Sequence, residues 1–355
     1  MFPRLSERLF NRLARDILPP APPAGPLPLG FDALPEVRAA RFGERHPETV
    51  FYVIWRADQA SGFFSNLAFV LWHLLQADSA ALQPVVDFQS FLTLYNEAGP
   101  VSGTRNAWEY YFLPTAPVPL AEVYESGCVV FCDGRAPHGP VPYVTRMPRA
   151  REALDRHVRV RPEIEEEVRS LTDLLGTKTL GVHVRGQGGN RTRGHPFGPT
   201  GPQVAGVVRR VLAEHDFDRI LVISDDEGSL ESLRTQFGSA VVTTPSFRTR
   251  GRSAYCMDPR PRHRYLLGRE VLRDTLLLSR CEGLVASLSH VSEFATLLHD
   301  GSREVDLRIW NGCNGHNRLL ALYAWDVRRR LPARLGGLPG DVYDVAHCPH
   351  PAGPA

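Results

Sequence analysis

The stretch TLGVHVRGQGGNRTRGH, residues 179–195, joins a short apolar run to a loop of glycines and arginines. Its first six residues have the length and valine content of a buried strand, interrupted only by His183. Arg185 and several glycines follow at once, and no periodic pattern continues through them. The stretch therefore predicts a strand whose carboxyl end presents a histidine, an arginine and a sparsely covered backbone.

The same alternation of strand and helix continues beyond this stretch. Further strands are predicted in RILVISDD (219–226), AVVTT (240–244) and GLVASLS (283–289). Helices are predicted at about 203–214, 229–237, 266–280 and 290–298. A βα series of this kind forms a parallel sheet with helices on its faces.

A second βα series occupies the first half of the chain. It consists of a strand FYVIW (51–55), an apolar helix LAFVLWHLLQ (67–76), a strand PVVDF (84–88) and a further strand in GCVVFCD (127–133). A charged helix, residues 161–175, separates the two series. We therefore expect an α/β protein with an amino-terminal domain at 31–165, a nucleotide-binding domain at 166–335 and a tail at 336–355.

Composition limits the class of protein. The chain has 355 residues, of which 43% are hydrophobic and 23% charged, which suits two α/β domains. The net charge of +2 argues against a nucleic-acid partner. The six cysteines have no paired CxxC spacing, and no apolar run of about 18 residues is present, so we expect reduced thiols, no metal site and a cytoplasmic location.

The first 30 residues form a segment of their own. Leu5, Leu9, Leu13 and Ile17 lie on one helical stripe surrounded by arginines, and residues 19–30 form a proline-rich linker. Residues 1–18 have two interpretations: a helix packed on its own protein, and peripheral contact with an anionic membrane surface.

Polar side chains follow three predicted strands of the second half. The clusters are His183 with Arg185, then Ser224, Asp225 and Asp226, and lastly Ser287 with Ser289. Ligands of open parallel sheets bind beyond the carboxyl ends of the strands, so we expect the clusters to face one crevice. Each cluster alone has a structural alternative, because an arginine here can pair with Asp225 and an aspartate can be a helix N-cap.

Together the clusters suit a sugar nucleotide. Arg185 offers a planar fork of donors to a diphosphate, and the glycines after it allow close backbone approach. The other members are predicted to contact ribose, base or phosphate oxygens. The donor-binding residues predicted are His183, Arg185, Gly186, Gly188, Asp225, Asp226, Asp274, Ser287, Ser289 and His290. The GxGxxG and Walker A motifs are absent, which removes the main support for nicotinamide and P-loop chemistry.

Four segments resemble a known enzyme family. They are GVHVRGQGGN (181–190), VISDDEGSLESLRTQFG (222–238), LRDTLLLSRCEGLVASLSHVSEFATLL (272–298) and NGCNGHNRLLALYAW (311–325). In this order they resemble the inverting fucosyltransferases of GT-B architecture, particularly the nodulation-factor and core α-1,6 types. The resemblance implies two Rossmann-like domains whose mainly parallel sheets face a central cleft.

The resemblance also implies roles for residues. Arg185 would hold the β-phosphate of GDP-fucose without a metal, with His183 supporting the same site. Asp274 would bond guanine or an adjacent ribose, although a structural partner, Arg269 or Arg273, is an equal alternative. The chain departs from many relatives at 186–188, where Gly-Gln-Gly replaces a second arginine and an acid.

The catalytic base and the acceptor side have several candidates. Arg185 supplies positive charge, while His195, Asp58 and Glu109 are the candidates for the base. In the first half SGFFSN resembles the family's acceptor-domain loop, which points to Gly62 and Asn66. Trp108, in NAWEYYF, suits stacking on an acceptor sugar or a buried aromatic cluster.

These features predict a glycosyltransferase. It would transfer a sugar to a hydroxyl of a glycan or glycoconjugate with inversion at the anomeric carbon. The first-choice donor is GDP-fucose, and no cofactor is expected. One alternative is the same fold with another nucleotide sugar. The other is a catalytically silent protein that binds sugar nucleotides or glycans.

Overall fold

The computed structural model describes residues 38–134, 141–186, 190, 194–250, 254–315, 317, 320–338 and 343–344. The chain divides into two compact units, residues 1–165 with 258–269, and residues 166–257 with 270–355. The segment 258–269, placed by sequence in the second domain, groups with the first unit. The amphipathic segment at 1–18 with its two interpretations, the linker at 19–30 and Gly188 lie outside the described residues.

The first unit contains a four-stranded sheet in the order β1-β4-β2-β3. Its elements are β1 (Arg38–Ala40), β2 (Phe51–Ile54), α1 (Phe63–Ser79), β3 (Gln83–Val86), α2 (Leu120–Val123), β4 (Val129–Phe131) and α3 (Ala150–His157). Strand β2 is parallel to β3 and to β4, as the βαβ pattern predicts, and β1 is antiparallel to β4. The core beneath the sheet includes Phe51, Val53, Val85 and Phe131.

The second unit contains a six-stranded sheet in the order β10-β9-β8-β5-β6-β7. Its strands are β5 (Thr179–Val184), β6 (Arg219–Ser224), β7 (Val241–Val242), β8 (Gly283–Ser287), β9 (Val305–Trp310) and β10 (Tyr343–Asp344). Among the strands of the described residues in this unit, only β10 is antiparallel to its neighbour. The expected α/β class with mainly parallel sheets is therefore confirmed.

Helices flank this second sheet. They are α4 (Pro162–Ser170), α5 (Gly201–Glu214), α6 (Glu227–Phe237), α7 (His263–Leu278), α8 (His290–Leu297) and α9 (Leu320–Arg328). Helices α4 and α7 begin in residues of the first unit and continue into the second. All six residues of β5 are buried, because one cluster packs α5 and α6 on one face and another packs α7 on the other. Burial on both faces explains why β5 is almost continuously apolar.

The strand order places the site. From β5 the chain continues to β6 and β7 on one side of the sheet, and later to β8 and β9 on the other. The carboxyl ends of β5 and β8 therefore border a topological switch point, where ligands of such sheets bind. In register, Val184 lies beside Ser224 and His183 beside Ala286.

The described residues contain no helix that is long and apolar enough to cross a membrane.

Candidate functional site

The three predicted strand ends are joined by hydrogen bonds. The Arg185 N–H donates to Ser287 Oγ at 3.1 Å, which links the end of β5 to the end of β8. The Gly186 N–H donates to Asp225 Oδ1 at 2.7 Å, which links β5 to the residue after β6. Since the Ser287 hydroxyl oxygen accepts from Arg185, its own proton is left to donate elsewhere.

The Arg185 side chain extends from this junction and is half-buried. Desolvation lowers the pKa of its guanidinium, an effect that Asp225 and Tyr255 oppose. An arginine nevertheless remains protonated in proteins, so a partly desolvated cation lies at the switch point.

His195 lies beside this cation. Arg185 Nη2 and His195 Nδ1 are 3.4 Å apart. Because a guanidinium only donates, Nδ1 must accept, and the proton of the neutral ring is on Nε2. Desolvation, and then the charge of Arg185, lower the pKa of His195, which favours this neutral form. His195 therefore presents an N–H donor at Nε2.

His183 is buried within the end of β5, with 7% of its surface exposed. Burial, reinforced by Arg185 and Arg308, lowers its pKa to about 3, so the ring is neutral near pH 7. The nearby Ser287 main chain opposes this fall of the pKa, and Nδ1 of the ring has no hydrogen-bond partner among the described residues. A neutral buried ring therefore lies where β5 pairs with β8, in register with Ala286.

Asp225 lies at the surface end of β6. Its Oδ1 accepts the Gly186 N–H, while none of the described residues bonds its Oδ2. Desolvation raises the pKa of this carboxyl, and the Gly186 N–H and Arg185 oppose that change. Asp225 is exposed as a residue, although its carboxyl packs closely against Gly186, and Oδ2 is the oxygen left for a ligand hydroxyl.

Asp226 has the helix-capping role that the sequence left as an alternative. It is the N-cap of α6, and its Oδ2 accepts from the Ser229 N–H at 2.8 Å and the Ser229 hydroxyl at 2.7 Å. Both bonds are local to the helix start. The two neighbouring aspartates therefore face different partners.

Ser289 and His290 begin α8. Ser289 is the N-cap and forms a reciprocal capping box with Ser292. The Ser292 hydroxyl also bonds the Ser287 main-chain oxygen at 3.0 Å. The helix start is thereby fixed next to the end of β8, with its dipole favouring an anion there.

Asp274 lies in a buried ionic network on α7. Its Oδ1 accepts from Arg273 Nη2 at 2.8 Å, and its Oδ2 accepts from the Ser246 hydroxyl at 2.6 Å. Arg273 also pairs with Glu167 at 2.7 Å. Burial raises the pKa of Asp274, while Arg273 opposes it. Of the two alternatives for Asp274, the Arg273 partner is present.

Residues that the sequence did not predict hold the His195 loop. Phe197 N–H donates to Gly312 O at 2.8 Å, and Asn314 N–H donates to His195 O at 2.8 Å, so residues 195–197 pair with the chain after β9. Asn190 Oδ1 accepts the Gly198 N–H at 2.8 Å. Ser246 was not predicted either. It is a polar residue just after the predicted strand AVVTT, so the search for polar side chains at strand ends could have found it.

The predicted acceptor-side loop belongs to the first unit. Asn66 is buried there, and its Oδ1 accepts from Arg56 Nη1 at 3.1 Å. Gly62 is exposed and precedes α1 as its N-cap. Asp58 accepts from the Ala60 N–H at 3.1 Å and the Ser61 hydroxyl at 2.6 Å. Asp58 and Asn66 therefore help to hold the loop.

Trp108 and Glu109 also lie in the first unit. Trp108 is 3% exposed and packs on Phe112 with ring centroids 4.4 Å apart, which matches the alternative of a buried aromatic cluster. Glu109 accepts from the Thr104 hydroxyl at 2.8 Å and from Asn106 Nδ2 at 3.3 Å. A small cavity of about 20 Å³, lined partly by Trp108 and Asn66, lies among these side chains.

Comparison with known proteins finds similarity in solved structures. No protein-family model and no curated protein matches the chain. NodZ α-1,6-fucosyltransferase co-crystallised with GDP is similar at 16% identity and a TM-score of 0.47, over 71% of this chain and 93% of that one. Fucosyltransferase NodZ from Bradyrhizobium is similar at 16% identity and a TM-score of 0.45, over 71% of this chain and 94% of that one. POFUT1 in complex with GDP is similar at 13% identity and a TM-score of 0.38, over 72% of this chain and 97% of that one. These values describe a distant likeness of fold, so the function rests on the residues of this chain.

Proposed function

We propose that this chain is a glycosyltransferase that transfers fucose from GDP-fucose, with inversion, to a hydroxyl of a glycan or glycoconjugate. The observation that carries the proposal is the position of Arg185. Its guanidinium lies at the switch point of a parallel sheet, while its backbone is bonded to the end of β8 and its neighbour to Asp225. The family resemblance over residues 175–325 supports GDP-fucose as the donor.

The proposed reaction needs charge stabilisation more than it needs covalent chemistry. The acceptor oxygen bonds to the anomeric carbon as the bond from that carbon to the diphosphate oxygen breaks, and GDP leaves. Arg185 would neutralise the charge that develops on the diphosphate. The His195 Nε2–H and the Ser287 hydroxyl would donate to oxygens of the same group. We propose that these donors act without a metal.

Other residues would bind the nucleotide or hold those that do. The open Oδ2 of Asp225 would accept from a ribose hydroxyl. Asp226 would act through the start of α6, and Asp274 through its bond to Ser246 near the end of β7.

The acceptor proton would pass to a base that is not His195. The lone pair of His195 Nδ1 faces the Arg185 guanidinium, so the ring enters the reaction as a donor. Asp58 and Glu109 remain the carboxylate candidates. With a good leaving group and a loose transition state, we expect either to contribute modestly, at about 10²-fold or less.

A binding experiment tests the donor site. Calorimetry would compare GDP, UDP, dTDP, CMP and GDP-fucose, with EDTA and with Mg²⁺, on wild type and on Arg185→Ala. We expect selective binding of GDP and GDP-fucose both with EDTA and with Mg²⁺. In Arg185→Ala the dissociation constant should be about 10- to 150-fold higher, because that factor corresponds to the loss of one charge-assisted hydrogen bond. Arg209→Ala removes an exposed arginine of α5 and serves as the matched control.

Each outcome has a consequence. Equal GDP affinity in wild type and a folded Arg185→Ala would refute the phosphate role. Preference for UDP or dTDP would replace the donor and keep the reaction class. GDP-fucose binding with no hydrolysis or transfer to any glycan in an array would favour the silent binding protein.

A further inference from the structure

Exposed large apolar side chains are concentrated in one short segment. Within the described residues, six such side chains are 40% or more exposed, and five of them lie in residues 320–335. These five are Leu320, Tyr323, Val327, Leu331 and Leu335, which we name the 320–335 patch. Exposed apolar side chains that gather in one short segment mark a candidate interaction surface.

The patch lies on the outer side of a helix that is already anchored. Ala321 and Trp325 form the buried side of α9, and Trp325 stacks on Phe197 with centroids 5.5 Å apart. The exposed Tyr323 and Val327 are four residues apart and share the opposite side. Helix α9 is therefore apolar on both sides, a pattern expected of helices covered on both sides.

The residues after α9 extend the patch. Arg328 Nε donates to Gly336 O at 3.2 Å, and the Leu338 N–H donates to Arg328 O at 3.1 Å, so this segment folds back on the helix end. Leu331 and Leu335 are thereby held near that end while remaining 40% and 64% exposed. The apolar surface thus rests on defined backbone bonds.

Positive charge is interleaved with the apolar side chains. Arg329, Arg330 and Arg334 are exposed, and the one acid in residues 320–335, Asp326, pairs with Arg329 at 3.1 Å. Apolar side chains among arginines match a surface that enters the headgroup region of an anionic bilayer. A symmetric dimer through this patch would bring together two surfaces of the same positive charge, which disfavours a second copy as the occupant.

We propose that residues 320–335 bind the surface of an anionic lipid bilayer. The leucines, Tyr323 and Val327 enter the acyl boundary while the arginines contact lipid phosphates. Binding at these residues does not depend on the proposed reaction.

Vesicle binding by the full chain tests the proposal. Co-sedimentation would use phosphatidylcholine vesicles with and without 30% phosphatidylglycerol, at 0.1 M and 0.5 M salt. We expect binding that requires phosphatidylglycerol and falls at least tenfold in 0.5 M salt, because the arginines are then screened.

Variants attribute the binding to the patch. The triple change Arg329→Gln, Arg330→Gln and Arg334→Gln should weaken it about 100-fold. Arg209→Gln with Arg210→Gln, on exposed residues of α5, removes similar charge elsewhere and should leave it within about twofold.

The apolar contribution is tested separately. Tyr323→Ser with Val327→Ser should weaken binding about tenfold or more at unchanged charge. The corresponding change in the amino-terminal stripe, Leu5→Ser with Leu9→Ser, should leave patch binding in place.

Three results would overturn the proposal. They are absence of binding to phosphatidylglycerol vesicles, binding that the Leu5 and Leu9 changes abolish and the patch changes do not, and a dimer that Tyr323→Ser with Val327→Ser dissociates without any vesicle binding. Circular dichroism would verify that each variant is folded.

Discussion

At the scale of single residues, the site depends on how close the backbone at Gly186 comes to Asp225. A Cβ on Gly186 would overlap Asp225 Oδ1, because Cβ atoms do not approach other heavy atoms so closely. The sequence indicated that glycine here permits close approach, but toward a phosphate. The nearest group is instead a carboxylate that the Gly186 N–H holds in place.

Gly186→Ala should therefore impair nucleotide binding more than stability. The exposed Asp225 side chain can rotate away at modest cost, but it then loses the position from which Oδ2 would meet a ribose hydroxyl. We expect about 10- to 150-fold weaker GDP binding by calorimetry, the value of one bond to a charged group. Gly206→Ala, on α5 with open space around its Cβ, is the control and should leave the affinity unchanged.

A double-mutant cycle between Gly186 and Asp225 tests whether the two residues act through the same contact. Once Asp225→Ala has removed the carboxylate, adding Gly186→Ala should cost little more, because both changes remove the same contact. Fully additive losses would show that Gly186 acts on the nucleotide directly.

Among the secondary-structure elements, those with a strong local pattern of apolar residues were the ones that the sequence predicted correctly. Strands β5, β6 and β8 lie where the apolar runs predicted them, because strands buried on both faces are continuous in sequence. Strand β9 was missed, since VDLRIW alternates apolar and polar residues and lacks the continuous apolar run that marked the other strands. The antiparallel β1 and β10 are two or three residues long, too short for any pattern.

The N-cap at the start of α6 should contribute measurably to stability. Asp226→Ala removes an N-cap that accepts from the Ser229 N–H, and should cost about 1 kcal/mol of unfolding free energy. Asp226→Ser keeps a capping oxygen and should recover most of that loss. Thermal unfolding of both variants, with GDP calorimetry alongside, separates capping from ligand contact. A large loss of GDP affinity in Asp226→Ser would contradict a purely structural role.

At the scale of the whole molecule, the sequence predicted two βα series but not the membership of residues 258–269. This segment joins the first unit through distant partners, since the Tyr265 N–H donates to Glu97 Oε1 at 2.8 Å and Tyr111 donates to Tyr265 O at 3.1 Å. Such contacts join residues far apart in sequence, and no local period encodes them. The bonds among strand ends were foreseeable only because the parallel order brings those ends together.

Each unit also contains a buried neutral histidine, which makes stability depend on pH. Burial lowers the pKa of His73 to about 4 and, with Arg185 and Arg308, that of His183 to about 3. In the unfolded chain both protonate near pH 6.5. Below that pH the unfolded state binds more protons, so this stability is complete above pH 6.5 and is lost as pH falls toward 4 and 3.

For each histidine, the free energy of unfolding should therefore fall by about 2 kcal/mol when the pH is lowered from 6.5 to 5. Scanning calorimetry across pH 5–8 should show a falling transition temperature, and His183→Asn or His73→Asn should flatten that fall even where it lowers stability at pH 8. His215→Asn, at a partly exposed position, provides the comparison. Because the two rings lie in different units, a calorimetric profile with two transitions should assign each loss to its own unit. An unchanged pH dependence in both buried variants would mean that these rings take up protons in the folded protein.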